Sequence, residues 1–271
     1  MSDRKGASKA IGLGNRQRRA MRAITWNMQG AGGMGESKYA SNIMTLLNRM
    51  HAGPDLVLAL QEAGDPPKGS GNPPGNVLGH FFLGGFEFYE IKWDVRVGRQ
   101  SLSYYIYYAI TDVSGNPVTP GRVNLALLVP VRLDTRKDVL ICDPGLPKVN
   151  SRPAIGIRYN HMLIWSLHAF SKGGGDAIPL LSSISSSVPL RGYPWIALGD
   201  YNIDRRNPGK RQLEDRNGWD PSWSVIASGE VTHPPSSELD YAVAKVLRKQ
   251  DVQVIPLFGG SDHLPVLFEF Q

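Results

Sequence analysis

Short apolar runs rich in β-branched and aromatic residues recur along the chain, separated by glycine, proline and asparagine, and most are too short to be helices. Ala23 to Trp26, Asp55 to Leu60, Tyr104 to Ile110, Val123 to Val129, Ala154 to Tyr159, Met162 to Leu167, Trp195 to Leu198, Leu239 to Val243 and Leu264 to Phe268 each read as a strand. Val139 to Ile141 reads the same way. From Glu36 to Met50 the period changes: Ala40, Ile43, Leu47 and Met50 recur at helical spacing until Gly53-Pro54 stops the pattern. A helix between the first two strands predicts an α/β connection, whereas the turn-sized gap within Arg158 to Met162 predicts an antiparallel hairpin. Gly64 to Gly79 is expected to be a long surface loop, and Ser182 to Ser187 a loop or the frayed end of a helix. Mixed sheets with helices outside follow from this order.

Composition narrows the class. With 271 residues, 41% of them hydrophobic, the chain can bury a large core. No linker divides it, so the expected organisation is a basic leader over residues 1–21 and one catalytic domain over 22–271. The leader carries Arg4, Lys5, Lys9, Arg16, Arg18 and Arg19 and fits a nucleic-acid-binding arm, a nuclear address or a solvated tail. The 30 Lys and Arg against 24 Asp and Glu give a formal charge of +6, which suits a polyanionic partner. The single cysteine, Cys142, follows a strand and is expected to be a buried, inert thiol. No apolar signal core opens the chain, and no run approaches the roughly 18 consecutive apolar residues of a membrane span, so a soluble protein without a transmembrane segment is expected.

The chemistry is concentrated at strand ends. Five times an apolar run is bordered by side chains that coordinate metals or move protons: Asn27, Glu62, His168, Asp200 with Asn202, and Asp262 with His263. Each has an ordinary alternative. Glu62 fits a solvated strand end, His168 a satisfied core histidine, and Asp200 with Asn202 a turn cap. Gly199 beside Asp200 permits close backbone approach. Taken together, acids and imidazoles at strand ends can converge on one rim of a sheet. Hydrolysis of a phosphodiester needs an activated water, neutralised non-bridging oxygens and a proton or metal for the leaving oxygen. Oxygen ligands such as Glu62 and Asp262 favour Mg²⁺, and the lack of a Cys/His ligand cluster argues against zinc. Arg99 and Arg152 are candidates for gripping phosphate, although Arg152, just before Pro153, also fits a surface residue at a strand start.

Several segments carry a resemblance. Thr25-Trp26-Asn27-Met28-Gln29-Gly30, Leu60-Gln61-Glu62-Ala63-Gly64, Leu198-Gly199-Asp200-Tyr201-Asn202, Leu239-Asp240-Tyr241 and Ser261-Asp262-His263-Leu264-Pro265-Val266 resemble the ordered motifs of the deoxyribonuclease I-like endonuclease/exonuclease/phosphatase superfamily. Closer still, Tyr105 to Tyr108, Arg122 to Ala126, Ser151 to Ile157, and Leu167-His168-Ala169 with Gly174 to Ala177 resemble the active B subunits of cytolethal distending toxins. The resemblance implies a four-layered α/β sandwich, two mixed β-sheets face to face with helices outside. It implies proton transfer by His168 and His263, with Asp240 orienting His263, and a Mg²⁺ ion held by Glu62 and Asp262 with Asn27 and Asp200 assisting. Mn²⁺ or Ca²⁺ are implied as substitutes. Asn202, Arg152 and, with less regular spacing, Arg99 would contact phosphate.

The implied activity is a Mg²⁺-dependent DNA endonuclease of low sequence specificity that damages DNA, with toxin delivery subunits as partners and the target-cell nucleus as destination. A phosphatidylinositol trisphosphate phosphatase using the same site is the alternative. A non-catalytic DNA-binding or toxin-partner module is a third reading, but it predicts lost ligands, and none is missing. Two departures bear on export: a basic leader stands where the toxin subunits have a signal, and no cysteine lies near the C-terminus. An enzyme of the cytoplasm or nucleus of its own cell fits those departures.

Overall fold

A computed structural model describes residues 21–30, 38–67, 75–111, 123–145, 152–171, 173–187, 193–245, 249–256 and 260–270. The leader through residue 20, most of the loop from Gly30 to Gly35, Arg122 and Ser151 lie outside these residues.

Strict alternation along the apolar runs sorts side chains into layers. In β1 (Met21–Asn27) and β2 (Leu56–Gln61), Ala23, Val57 and Ala59 enter one apolar cluster, while Ile24, Trp26, Leu58 and Leu60 enter another. In β9 (Met162–His168) and β10 (Trp195–Asp200), Ile164, Ile196 and Leu198 share the first cluster, while Leu163, Trp165, Leu167 and Ala197 enter a third. The shared cluster is the core between two sheets, because successive strand residues point to opposite faces. Helices close the outer two. A π-helical turn, Tyr39–Ile43, and α1 (Met44–Arg49) bring Tyr39, Ile43, Leu46 and Leu47 onto the first sheet, and α2 (Ala177–Ser186) brings Leu180, Leu181 and Ile184 onto the second. The result is helix, sheet, sheet, helix, as the resemblance implied.

The first sheet has the order β13 (Lys249–Val254), β14 (Val266–Phe270), β1, β2, β6 (Leu125–Val129), β5 (Gln100–Ile110), β4 (Phe86–Val97), β3 (Gly75–Leu83). The second has the order β11 (Trp223–Ile226), β12 (Asp240–Lys245), β10, β9, β8 (Ala154–Tyr159), β7 (Val139–Cys142). Near the middle of each lies a parallel pair, β1 with β2 and β9 with β10, whose crossover passes through a helix, while the other described pairings are antiparallel. Both parallel pairs run toward the same rim. The expected hairpin joins β8 to β9 through Asn160 and His161, both at positive φ, the geometry of a tight two-residue turn that matches strand twist.

The structure differs from the sequence reading at the start of β3. The loop expected over Gly64 to Gly79 gives way to strand at Gly75. β3 is an edge strand with a single neighbour, so it tolerates Gly75 and Gly79 where a central strand would lose packing. The serine run forms the end of α2, one of its two expected fates. Cys142 is buried, and burial pushes its thiol up to about 11, as expected of an inert thiol.

Close approach of β10 to β9 depends on Gly199. A Cβ built there would lie 2.1 Å from the Leu167 carbonyl oxygen, a backbone atom with no room to withdraw. Gly199→Ala is expected to destabilise the fold by roughly 1–3 kcal/mol or more, read as a drop of several degrees in thermal midpoint by circular dichroism. An unchanged midpoint would mean the two strands can separate freely.

Candidate active site

The alternation that builds the inter-sheet core continues past it to the rim. Asn27, Gln61, His168, Asp200 and Asp240 share the register of Ala23, Ala59, Ile164, Leu198 and Ala242, so each points into the space between the sheets. All are buried. Along this stripe the residues change from apolar to polar as the strands end.

A seam of hydrogen bonds lies just beneath the rim. Gln61 Nε2 donates to Ser166 Oγ at 2.9 Å, joining the two sheets, and Gln61 Oε1 accepts from Thr25 Oγ1 at 3.2 Å. Ser166 Oγ also donates to the Leu60 carbonyl at 3.2 Å. Every partner is buried, so removal of one would leave another unsatisfied at a cost of about 1–3 kcal/mol. The seam fixes how the two strand sets meet.

Above it, the Asp200 carboxylate is the hub. Its Oδ2 accepts from Asn27 Nδ2 at 3.1 Å and lies 3.5 Å from His168 Nε2 and 3.8 Å from His263 Nε2. Its Oδ1 accepts from the Asn202 backbone N–H at 2.8 Å. His263 reaches this point from the loop before β14, held by its own carbonyl accepting from Trp26 Nε1 at 3.0 Å and by Ser261 Oγ accepting from its N–H at 3.0 Å. Its Nδ1 pairs with Asp240 Oδ2 at 2.8 Å, and Nε2 faces Asp200 and, at 3.6 Å, Asp262 Oδ1. Glu62 Oε1 lies 3.9 Å from His168 Nε2.

Two of these residues adopt left-handed backbone, Glu62 at φ +45 and Asn202 at φ +52. Such conformations carry strain of order 1–3 kcal/mol and persist only where the surroundings hold them. At Glu62 the holder is Gly30, whose N–H donates to the Glu62 carbonyl at 2.7 Å and whose missing side chain leaves the space for that approach. The kink lets Glu62 depart from strand alternation at the rim. Asn202 is tied by its side chain, Nδ2 donating to the Ala169 carbonyl at 2.9 Å. The same carbonyl meets Arg152 Nη1 at 3.5 Å, and the guanidinium lies 5.7 Å from the Phe170 ring. Arg152 therefore sits at the rim beside His168.

Arg99 does not join them, which corrects that expectation. It occupies the two-residue turn between Val97 and Gln100, tied through the Gly98 N–H to Asn48, while the other end of β5 pairs with β6 at the rim. The length of β5 puts Arg99 roughly 30 Å from the cluster.

Two residues at the rim lie outside the strand-end pattern. Lys38 is buried, and its ammonium donates to the carbonyls of Met28 and, at 2.8 Å, Gln29. Burial lowers its pKa while Glu62 and Asp262 oppose that shift, so one ammonium feels both carboxylates. His233 comes from the Thr232–Ser237 turn, its Nε2 3.4 Å from Asp262 Oδ2. Neither borders an apolar run at a strand end, which is why the sequence pattern passes over both.

The charge balance fits a cation. Glu62, Asp200, Asp240 and Asp262 bring four carboxylates to three imidazoles, His168, His233 and His263, and Lys38. Burial and the neighbouring Asp240 push Asp200 up to about 7. Burial opposes charge on His263, but Asp240, Asp200 and Asp262 outweigh it and raise the imidazole to about 9. Among the described residues, Asp200, Asp240 and His263 form one group whose donor atoms lie within 4.8 Å of one another, and His233, Asp262 and His263 form another. The surplus of oxygen donors suits a hard divalent ion.

Residues 24–263 match the Endonuclease/Exonuclease/phosphatase family, and the chain belongs to it, which puts it among hydrolases of phosphate ester bonds. Within that family it is similar to the cytolethal distending toxin B subunit of Escherichia coli, 29% identical over 260 residues covering 90% of each chain. It is also similar to a homolog of that toxin's B subunit from Salmonella typhi, 30% identical over 91% of this chain and 88% of the relative. The crystal structure of the Haemophilus ducreyi cytolethal distending toxin superposes with a TM-score of 0.73 at 27% identity, covering 92% of this chain and 97% of that one.

The protonation of the cluster ties stability to pH. Asp200 and His263 both bind protons more tightly in the folded chain than in the unfolded one, so the native state holds the extra protons and stability falls as pH rises. Their contribution is complete below the ordinary carboxylate pKa, and is lost through about 7 for Asp200 and about 9 for His263. In EDTA the melting temperature is expected to decline from pH 5 to pH 9.5, and Asp240→Asn should flatten that decline. A melting temperature that rises over this range would contradict the charge balance.

Proposed function

We propose that this chain is a divalent-metal-dependent DNA endonuclease of low sequence specificity. The observation that carries the reading is the Asp240–His263 pair, facing the same Asp200 oxygen that His168 approaches. Asp240 holds hydrogen on Nδ1, and because His263 keeps a second proton on Nε2 up to about pH 9, that nitrogen becomes a base for water once its own proton is shed. His263 Nε2 takes the proton as the water oxygen bonds to phosphorus, the bond to the leaving ester oxygen breaks, and His168 Nε2 delivers a proton to that oxygen. Asp200 lies between the two imidazoles and favours whichever is charged. Asn202 and Arg152 orient the phosphate; one N–H of the Asn202 amide is committed to Ala169, and the other remains for the ligand.

Mg²⁺, with Mn²⁺ or Ca²⁺ as substitutes, would be held by Glu62 and Asp262 with Asn27 and Asp200 beside them, and when bound it supplies charge neutralisation on the phosphate and the leaving oxygen. The formal charge of +6 supports DNA as the substrate, since counterion release favours a polyanion. The similarity to chains named as toxin B subunits supports a role as the active component of a delivered toxin, with partner subunits and a target-cell nucleus as its destination. Among the described residues, no helix is long and apolar enough to cross a membrane.

Plasmid nicking with and without EDTA tests the proposal. His263→Ala is expected to lower turnover by about 100-fold or more while the fold persists, and nicking that survives either the variant or EDTA would refute the assignment. Phosphate release from phosphatidylinositol trisphosphate, measured in parallel, separates the phosphatase alternative: release outrunning nicking would make the lipid the substrate. Arg152→Ala should weaken activity on DNA and Arg99→Ala should leave it unchanged. Equal losses in the two variants would count against Arg152 as the phosphate contact.

A further inference from the structure

The mechanism leaves His233 without a task, yet this side chain completes a donor set of a different kind. Its Nε2 lies 3.4 Å from Asp262 Oδ2, and His263 Nε2 lies 3.6 Å from Asp262 Oδ1. The two imidazoles therefore face the two oxygens of one carboxylate, their ring centroids 4.7 Å apart, and all three donors fall within 4.8 Å. Bonds of about 2.0–2.2 Å to a tetrahedral ion set ligand atoms roughly 3.3–3.6 Å apart. Each imidazole lies at about that distance from one Asp262 oxygen, so closing the set around one ion takes a turn of the half-exposed carboxylate.

The surroundings have the features that tune such sites. His263 turns its other ring nitrogen to Asp240 at 2.8 Å, a carboxylate backing a ligating imidazole. His233 is held from below by a reciprocal pair of backbone hydrogen bonds with Ser237, 2.9 and 3.0 Å, which closes the turn that carries it. The His233 and Asp262 side chains are 31% and 50% exposed, so a fourth position is open to water. Two imidazoles and a carboxylate suit a borderline transition metal, whereas an oxygen-rich set suits Mg²⁺.

The geometry points to a second metal site at His233, Asp262 and His263 that takes Zn²⁺ or a similar transition-metal ion and, by claiming His263 Nε2 and Asp262, silences the hydrolytic centre. The silencing rests on the proposed roles of His263 and Asp262; the metal site itself does not. Metal binding here and Mg²⁺-supported catalysis exclude one another because both need the same carboxylate and the same ring nitrogen.

Co²⁺ titrated into the full-length protein, with Mg²⁺ in large excess, reads the site directly through its visible absorption. The expected result is one saturable band that Zn²⁺ bleaches, an affinity at least about 10-fold weaker in His233→Asn, and no change in His80→Asn, which removes a surface histidine elsewhere. No band in the wild type, or equal affinity in His233→Asn with its melting temperature intact, overturns the site. In nicking assays with Mg²⁺, Zn²⁺ should inhibit the wild type at concentrations at least about tenfold below those needed for His233→Asn. Equal inhibition would sink the silencing role. A wild type that binds Co²⁺ through His233 but nicks no DNA would keep the site and remove the nuclease reading.

Discussion

A buried carboxylate cannot stand among apolar residues without partners, and Asp200 shapes its neighbourhood accordingly. It is nearly inaccessible, and its two oxygens take up Asn27, the Asn202 backbone and the approach of both imidazoles. Those groups come from β1, the segment after β10, β9 and the loop before β14, so one side chain obliges four stretches of chain to meet. The left-handed turn at Asn202 and the close strand packing at Gly199 flank the same residue.

Below Asp200 the Gln61–Ser166 seam performs the mechanical part. Core packing between flat apolar faces is permissive about sliding, whereas a buried amide bonded across the gap is not. Polar groups set directly beneath the Asp200 cluster hold the two rims in register, while the apolar core further down supplies most of the stability. Strain is concentrated where the strands end, at Glu62 and Asn202, and the rigid sheets beneath absorb it.

Much of this was legible from residue order. Apolar runs with a polar residue at one end predicted both the strands and the rim, and Ala154 to Tyr159 needed no adjustment. Asp240 was different: it starts its strand, so resemblance rather than pattern brought it in. Arg99 misled because a basic residue near a strand carries no label for which end of the sheet it occupies, and only the β4–β5 register supplies that. β4 alternates charged and apolar residues from Ile91 to Val97, a weaker signal than the continuous apolar runs of the central strands. His233 was illegible because its position depends on the Thr232–Ser237 turn, a tertiary arrangement without periodicity.

The alternation of facing along each strand has a consequence for how such a chain can diverge. Inserting one residue into the interior of β9 or β10 would rotate every later side chain by half a turn and bury His168 or Asp200 against the outer helices, whereas inserting two would merely lengthen the strand and preserve its facing. Length variation in the central strands should therefore come in even steps, and odd changes should be confined to loops or absorbed by a bulge, as in β3 and β13 at the two edges of the larger sheet.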